Sequence, residues 1–257
     1  MSTLNISLVQ ADLAWHQPQE NREHLKAMLR DVSPTSDLVV LPEMFTTGFT
    51  MQAEEFAENM DGPSINWMRA RARQLDAAVC GSLIIAESGA FMNRFVMAEP
   101  DGTLHYYDKR HLFGMAGEDG SYISGQSRSV IEFRGWRICP MICYDLRFPV
   151  WSRNDLGYDL LVYVANWPGR RRLHWQILAR ARAIENQCYV AAVNRVGIDA
   201  MGLEYLGDSS LVDFAGDVKW SCEGLQQVHN ASLDRGALMT YRERFPFLED
   251  RDEFDVK

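Results

Sequence analysis

The sequence predicts an α/β protein in which two mixed β-sheets pack against each other and helices cover their outer faces. Two observations carry this prediction. Short apolar runs alternate with longer amphipathic stretches, a pattern typical of strands followed by helices. Elsewhere, paired apolar runs are joined by turn residues, which is typical of antiparallel hairpins. Because we find no linker, repeat or low-complexity stretch, we expect residues 1–257 to form one domain.

The first part of the chain supplies the strand and helix units. We predict strands over residues 6–10, 38–41 and 77–85, and helices over residues 21–29 and 63–75. Pro63 favours a helix start, since its missing N–H costs nothing in the first turn. The unbroken apolar run at 77–85 indicates a strand that is buried on both faces.

The hairpins dominate the middle and the end of the chain. We predict hairpins at residues 91–107, 130–143 and 209–221, the first of them around a Pro-Asp-Gly turn. Between the last two lie a strand at 160–164, a helix at 173–186 and a strand at 189–194. We expect the polar tail, with its scattered aromatic residues around 241–246, to be an arm that packs on a second subunit.

Composition excludes several classes of function. The formal net charge is −9 at pH 7, whereas nucleic-acid binding needs a basic stripe, so we expect no nucleic-acid partner. No uncharged apolar run approaches the ~20 residues of a membrane span, so we expect no membrane partner. Five scattered cysteines without a CxxC pair indicate free thiols rather than a disulfide framework. Residues 1–5 lack the basic start of a signal peptide, and we therefore predict a cytoplasmic protein.

Three polar residues follow predicted strands, where the binding and catalytic groups of α/β proteins concentrate. They are Glu43, Lys109 and Cys143. Taken singly, each has a commoner structural role as a solvated loop carboxylate, a surface amine or a small buried hydrophobe. Together they form a complete set for acyl transfer without histidine. A carboxylate can take the thiol proton and pass it on, and an ammonium can stabilise an oxyanion.

The chain resembles the nitrilase superfamily of carbon–nitrogen hydrolases in the residues around these three positions, in the family's order and relative spacing. The strings are Leu41-Pro42-Glu43-Met44-Phe45, Tyr107-Asp108-Lys109-Arg110-His111-Leu112-Phe113 and Ile142-Cys143-Tyr144-Asp145-Leu146-Arg147-Phe148-Pro149. Residues 163–168 and 181–187 extend the resemblance over nearly the whole chain. Within the family, the sequence looks most similar to bacterial ω-amidases, also called 2-oxoglutaramate amidases.

This resemblance implies a four-layer α-β-β-α sandwich of two mixed sheets. It implies that Glu43 is the general base, Lys109 the oxyanion stabiliser and Cys143 the nucleophile, with the N–H of Tyr144 as a second oxyanion donor. It also implies a second glutamate, which we place at Glu118. No metal or organic cofactor is required, homodimers are common among relatives, and methionine salvage or repair of transamination products is the implied context.

Other residues near these strings have two possible roles each. Phe45, Phe113 and Trp167 are predicted either to wall a small pocket or to pack in the core. Arg171 is our candidate partner for a substrate carboxylate, although we expect at least two of the arginines at 170–172 to be solvated. Asp145 and Arg147 after the nucleophile are predicted either to form a buried ion pair that fixes the turn or to contact the substrate directly. The lone nearby histidine, His111, is expected to be structural.

We therefore expect an enzyme that hydrolyses short dicarboxylic acid monoamides, such as 2-oxoglutaramate or 2-oxosuccinamate, through a cysteine thioester. Two alternatives stay open. The same site could hydrolyse a nitrile or an N-carbamoyl group. Alternatively, the chain could be a catalytically inactive binding protein on the same fold.

Overall fold

The computed structural model describes residues 2–255, and two mixed β-sheets form its centre. The first sheet has the strand order β13-β1-β2-β3-β4-β5. Its strands are β1 (Thr3–Gln10), β2 (Leu38–Val40), β3 (Ala78–Glu87), β4 (Ala90–Ala98), β5 (Leu104–Asp108) and β13 (Gln227–Asp234). The strands β1, β2 and β3 run parallel, whereas β13, β4 and β5 pair antiparallel with their neighbours.

The second sheet has the order β10-β11-β9-β8-β7-β6, and β12 also pairs with β11. Its strands are β6 (Ile131–Phe133), β7 (Trp136–Ile142), β8 (Leu160–Ala165), β9 (Tyr189–Asn194), β10 (Val196–Ile198), β11 (Glu204–Val212) and β12 (Val218–Glu223). The strands β7, β8 and β9 are parallel. Their carboxyl ends therefore lie at one edge, where the polar residues that follow them can meet.

Six α-helices accompany the sheets in the described residues. They are α1 (Pro18–Met28), α2 (Ala53–Phe56), α3 (Pro63–Leu75), α4 (Glu118–Ser121), α5 (Arg172–Asn186) and α6 (Arg235–Arg244). The predicted helix over 63–75 is confirmed at both ends. It begins with a proline and ends at Asp76, which takes a left-handed conformation with φ of 51°. Within residues 2–255, none of these helices has the length and hydrophobicity of a membrane span.

The apolar residues 38–41, in and just after β2, contribute to two hydrophobic clusters, because successive side chains of a strand point to opposite faces of the sheet. Leu38 and Val40 join the core between the two sheets. Val39 and Leu41 join a second cluster, in which α1 and α3 cover the outer face of the first sheet. On the other side, α5 packs on β9 and β11. The predicted four-layer α-β-β-α sandwich is therefore confirmed.

One local expectation was wrong. The residues around 241–246 do not form a separate arm, because they include the end of α6 and pack on their own chain, where the Phe245 carbonyl oxygen accepts a hydrogen bond from Gln187 Nε2 at 2.7 Å. Before them, β13 pairs along the whole of β1 and is followed directly by α6. The side chain of Asp234 caps that helix by accepting a hydrogen bond from the Ala237 N–H at 3.1 Å. The buried strand predicted over residues 77–85 is confirmed as β3, which turns at Ser88-Gly89 into a hairpin with β4 that the sequence did not predict.

Candidate active site

The carboxylate of Glu43 lies buried between the two sheets, just beyond the end of β2. Its Oε1 accepts hydrogen bonds from Lys109 Nζ at 2.9 Å and from Asn93 Nδ2 at 2.8 Å. Its Oε2 accepts a bond from the backbone N–H of Asn166 at 2.8 Å. Strands of both sheets therefore hold this carboxylate in one orientation.

The ammonium of Lys109 follows β5 and is just as deeply buried, with 1% of its side chain exposed. Besides the bond to Glu43, Nζ donates to both oxygens of Glu118, at 2.8 and 2.9 Å. Burial acts to lower the pKa of Lys109, but the charges of Glu118 and Glu43 outweigh it. The pKa of Lys109 is therefore raised above its usual range, and the amine stays protonated.

Glu118 opens the short helix α4 and is completely buried. Its Oε2 also accepts the Phe113 N–H at 2.5 Å, which fixes the loop between Lys109 and α4. Burial raises the pKa of Glu118 above its usual value, Lys109 opposes that change, and the nearby charge of Glu43 adds to it. The structure thus brings the predicted second glutamate into contact with the predicted lysine.

Two residues that follow Glu118 fix the loop around the lysine. The hydroxyl of Tyr122 donates to the Thr50 carbonyl oxygen at 2.5 Å. The N–H of Gly125 donates to the Lys109 carbonyl oxygen at 2.8 Å. A Cβ at residue 125 would lie 2.1 Å from the Asp108 carbonyl oxygen, so only glycine fits behind the lysine.

Cys143 directly follows β7 and begins a 3₁₀ turn, Cys143–Arg147. Its φ of 43° is in the left-handed region, which is unusual for a residue with a side chain. It is partly exposed, whereas the other four cysteines are buried. Burial and then the charge of Glu43 raise the pKa of the Cys143 thiol well above its usual value, and Lys109 opposes this. The thiol is therefore neutral until a base takes its proton.

The strained turn is held by Asp145, which is fully buried. Its carboxylate accepts bonds from the Ile142 N–H at 3.0 Å and the Tyr107 hydroxyl at 2.7 Å. It also accepts from the backbone N–H and the ring of His111, at 3.0 and 2.8 Å. Asp145 therefore joins the end of the Cys143 strand to the segment that carries Lys109.

The predicted ion pair between Asp145 and Arg147 was therefore wrong. The donors around Asp145 already occupy its carboxylate, and Arg147 points elsewhere. Its guanidinium lies 4.7 Å from the centre of the Trp167 ring and is hydrogen-bonded to His174 at 3.1 Å. The structural role expected for His111 is consistent with its bonds to Asp145.

Two asparagines in the site went unnoticed in the sequence. Asn93, in β4, contacts Glu43 and also Glu118 Oε1 at 3.3 Å. Asn166, after β8, donates its side-chain amide to the Glu43 carbonyl oxygen at 2.6 Å. Asn166 lies within a string that signalled the family, whereas Asn93 carries no local signal, because its neighbour β3 was not recognised as a hairpin partner.

A cavity of about 460 Å³ opens beside the buried side chains of Glu43, Lys109 and Glu118. Two residues of its wall contact these side chains. Asn166 is hydrogen-bonded to Glu43, and the centre of the Phe49 ring lies 5.2 Å from Lys109 Nζ. Most of its other walls are apolar, and a threonine, a glutamine, two arginines and an aspartate complete them. The lining comprises Trp15, Phe49, Thr50, Met51, Gln52, Phe113, Met115, Ala116, Asn166, Arg170, Arg171, Asp199, Met201, Leu203 and Tyr205.

Of the three predicted aromatic wall residues, only Phe113 lines this cavity. Its ring centre lies 5.0 Å from that of Tyr144, which follows the thiol. Phe45 is instead fully buried in the cluster beneath α3, where its ring faces Trp67. Trp167 is buried against Trp175 of α5 in the large hydrophobic cluster. For Phe45 and Trp167 the pocket assignment is corrected, because both side chains point into hydrophobic clusters.

The three consecutive arginines have different surroundings. Arg172 forms a two-point ion pair with Asp208 and a further bond to Glu223. Arg171 is half-buried at the cavity, and Arg170 is exposed at its mouth. Arg170 is exposed, as expected for a solvated arginine, whereas Arg171 and Arg172 are only partly exposed.

The fold and the buried Glu–Lys pair beside a thiol define a class of hydrolytic enzyme rather than a binding module. The family model described as carbon-nitrogen hydrolase matches residues 5–243. The chain belongs to the carbon–nitrogen hydrolase family, within the nitrilase superfamily.

Similar proteins match along the full chain. The omega-amidase YafV of Escherichia coli K12 is 48% identical over 255 residues, which cover 99% of both chains. The 2-oxoglutaramate amidase of Bacillus subtilis is 32% identical, covering 95% of this chain and 96% of that protein. The structure of XC1258 from Xanthomonas campestris, a CN-hydrolase superfamily protein with an arsenic adduct in its active site, matches with a TM-score of 0.97, 46% identity and 100% coverage of each chain.

Proposed function

We propose that the protein is an ω-amidase that hydrolyses short dicarboxylic acid monoamides, such as 2-oxoglutaramate and 2-oxosuccinamate, to the acid and ammonia. One observation supports the chemistry most. Lys109 Nζ is held between the carboxylates of Glu43 and Glu118, and all three groups affect the pKa of a partly exposed thiol. The full-length similarity to proteins named omega-amidase and 2-oxoglutaramate amidase supports the substrate class.

The first half-reaction forms a thioester. Glu43 takes the proton of the Cys143 thiol as the sulfur attacks the amide carbon. The resulting oxyanion is stabilised by the Lys109 ammonium and the Tyr144 N–H. The carbon–nitrogen bond then breaks, and Glu43 gives its proton to the nitrogen, so that ammonia leaves. The raised pKa of the resting thiol fits this order, because proton removal coincides with attack.

The second half-reaction returns the enzyme to its starting state. Water enters where ammonia left, and Glu43 takes one proton from it. The hydroxide adds to the thioester carbonyl, and the same two donors stabilise the second oxyanion. The carbon–sulfur bond breaks, the acid leaves, and the proton on Glu43 returns to the Cys143 sulfur.

In this mechanism Glu118 acts through Lys109. Its charge keeps the lysine protonated, and its two oxygens set the direction of Nζ. Its bond to the Phe113 N–H also fixes the loop that forms one wall of the cavity. We therefore propose Glu118 as the second glutamate of the site.

The decisive experiment is ammonia release from 2-oxoglutaramate by Cys143→Ala. We expect the variant to stay folded and to lose all release above background. Cys222→Ala is the matched control, since Cys222 is the most exposed of the other four cysteines at 8%. Residual activity near wild type in Cys143→Ala would remove the nucleophile assignment. A panel of nitrile and N-carbamoyl substrates, compared by kcat/KM, tests the substrate class.

We further propose that residues 1–257 act as one cytoplasmic domain and that two copies form a homodimer. The outer face of α5 supports the dimer. Leu173, Ile177 and Ile184 recur at helical spacing and are 61%, 55% and 51% exposed. We expect Ile177→Glu to convert a dimer into monomers in sedimentation experiments. A wild-type protein that sediments as a monomer would refute this part of the proposal.

A further inference from the structure

Two arginines, Arg170 and Arg171, line the cavity, and the charge of a third, Arg147, acts on Arg171; we call these three residues the arginine rim. None of them forms an ion pair with an aspartate or glutamate among residues 2–255. This is unexpected in a chain of net charge −9, where acids outnumber basic residues. The adjacent Arg172 has found two carboxylates. The rim therefore carries positive charge that the protein leaves uncompensated.

The side chain of Arg171 is placed at the cavity by contacts on both sides. Its guanidinium carbon lies 5.2 Å from the centre of the Phe113 ring. Its backbone N–H donates to the Pro168 carbonyl oxygen at 3.0 Å, and its own carbonyl oxygen accepts the Trp167 indole N–H at 2.9 Å. A guanidinium that stacks on an aromatic face keeps its N–H groups free at its edge.

The other two rim arginines are less suited to direct contact with a ligand. Arg147 is engaged with Trp167 and His174, and Arg170 is exposed at the mouth. Burial lowers the pKa of Arg171, and the charges of Arg170 and Arg147 add to this effect, while Cys143 opposes it. An anion bound at Arg171 would relieve that repulsion.

The acid in the cavity wall does not supply this anion. Asp199 accepts hydrogen bonds from the N–H groups of Met201 and Leu203, both at 2.9 Å. Its second oxygen accepts the Tyr205 hydroxyl at 2.9 Å. Its carboxylate is therefore occupied within its own loop and leaves Arg171 free.

We propose that Arg171 is the specificity-determining residue that binds the substrate carboxylate remote from the scissile amide. The inference rests on the proposed function and deepens it. The planar guanidinium matches a carboxylate at two points, and Arg147 and Arg170 add attraction without contact. The enzyme therefore selects short amides that carry a negative charge at the other end.

The test compares two amides of similar length on the same preparation. One is 2-oxoglutaramate, and the other is butyramide, which has no carboxylate. We expect Arg171→Met to lower kcat/KM for 2-oxoglutaramate about tenfold to a hundredfold, chiefly through KM, and to lower it for butyramide much less, so that the ratio of the two falls. Arg171→Lys should recover part of the loss, since it keeps the charge without the fork. The control Arg73→Met removes an exposed arginine from α3 and should change neither rate.

The ratio of the two rates does not depend on how much of a variant is folded, so a poorly folded variant still tests the proposal. An equal loss on both amides, or no change in their ratio, would overturn the role of Arg171 while leaving the amidase proposal intact. A folded wild-type enzyme that releases no ammonia from either amide would overturn the proposed function itself.

Discussion

Two charged regions lie beside the same cavity. In the Glu–Lys–Cys cluster (Glu43, Lys109, Glu118 and Cys143) the charges are paired, whereas in the arginine rim they are unpaired. In the cluster, every charged group meets a partner of the opposite sign within 3 Å, and these groups are almost fully buried. In the rim, the positive charges of neighbouring arginines repel one another near solvent, and none of them forms an ion pair with a carboxylate of the described residues. The charges of the cluster are balanced in the protein without a ligand, whereas those of the rim are balanced only when an anionic ligand binds.

This difference indicates a division of work between chemistry and recognition. Buried charges must be paired, because leaving one unpaired costs several kcal/mol. Their fixed arrangement also spares the enzyme reorganisation during the reaction. A partly exposed guanidinium tolerates the lack of a partner, since water solvates it in the resting state. Substitutions in the two regions should therefore differ in what they damage.

The largest effect is expected from Lys109→Met, which breaks the cluster. It leaves the carboxylates of Glu43 and Glu118 buried without their cation, so stability should fall by about 3–5 kcal/mol. Ammonia release should fall by about a hundredfold or more. Because Lys109 lowers the pKa of Glu118, its loss favours the protonated acid, and the stability deficit should shrink as the pH falls. Urea unfolding at neutral and acidic pH measures this, with the exposed Lys26→Met as control. An unchanged deficit would contradict the pairing.

A smaller loss is expected from Asp145→Asn, which acts behind the cluster. The amide cannot accept all the bonds that reach the Asp145 carboxylate, so a buried donor is left unsatisfied. We expect stability to fall by about 1–3 kcal/mol and kcat to fall with KM little changed. The exposed Asp217→Asn is the matched control. Wild-type kcat in the folded variant would show that the turn does not need this anchor.

Glu118→Gln should weaken one partner of Lys109 while keeping the shape of the side chain. Glu118 raises the pKa of Lys109, so its neutral replacement lowers that pKa. The rate then starts to fall at a lower pH on the basic side of the pH–rate profile, and kcat drops about tenfold. Asp119→Asn, one residue later on the same helix, should leave the profile in place. A basic limb that does not move would argue against the role given to Glu118.

The smallest effect on activity is expected from Arg172→Met, which removes the paired neighbour of the rim. Its ion pair with Asp208 is 34% exposed on the arginine side but only 6% exposed on the aspartate side. The stability loss should therefore be about 1–3 kcal/mol, since the buried carboxylate keeps its bond from the Gln176 side chain but loses its cation. The ratio of kcat/KM for 2-oxoglutaramate and butyramide should not change. A change in this ratio as large as that in Arg171→Met would contradict the view that only Arg171 binds the substrate carboxylate.

The sequence predicts elements best where local pattern and burial agree. The helix over 63–75 and the strand over 189–194 match at both ends. The strand β13 escaped prediction because its residues are mostly exposed and polar, so pairing with β1 rather than hydrophobicity makes it a strand. The same limit hid Asn93, whose place in the site depends on the register between β3 and β4.

Predictions for individual residues depended on the direction in which each side chain points, and the spacing of residues along the sequence does not determine that direction. Phe45 and Phe113 both adjoin the strings that mark the family, yet one ring points beneath α3 and the other into the cavity. Consecutive arginines likewise separate into a structural residue at 172 and an unpaired one at 171 because Asp208 and Glu223 reach only the former. Such outcomes are decided by partners that are far away along the chain.

The most direct test is to observe the covalent intermediate on Cys143. Because Glu43 serves both half-reactions, the thioester is trapped in the wild-type enzyme by acid quenching within the first turnovers with 2-oxoglutaramate, and Glu43→Gln, which lacks the base for acylation, is the control. Mass spectrometry of the quenched wild type should show one adduct with the mass of the substrate less ammonia, located on the peptide that contains Cys143, and little adduct in the control. Ammonia release by the wild type without any adduct on that peptide would contradict a cysteine thioester.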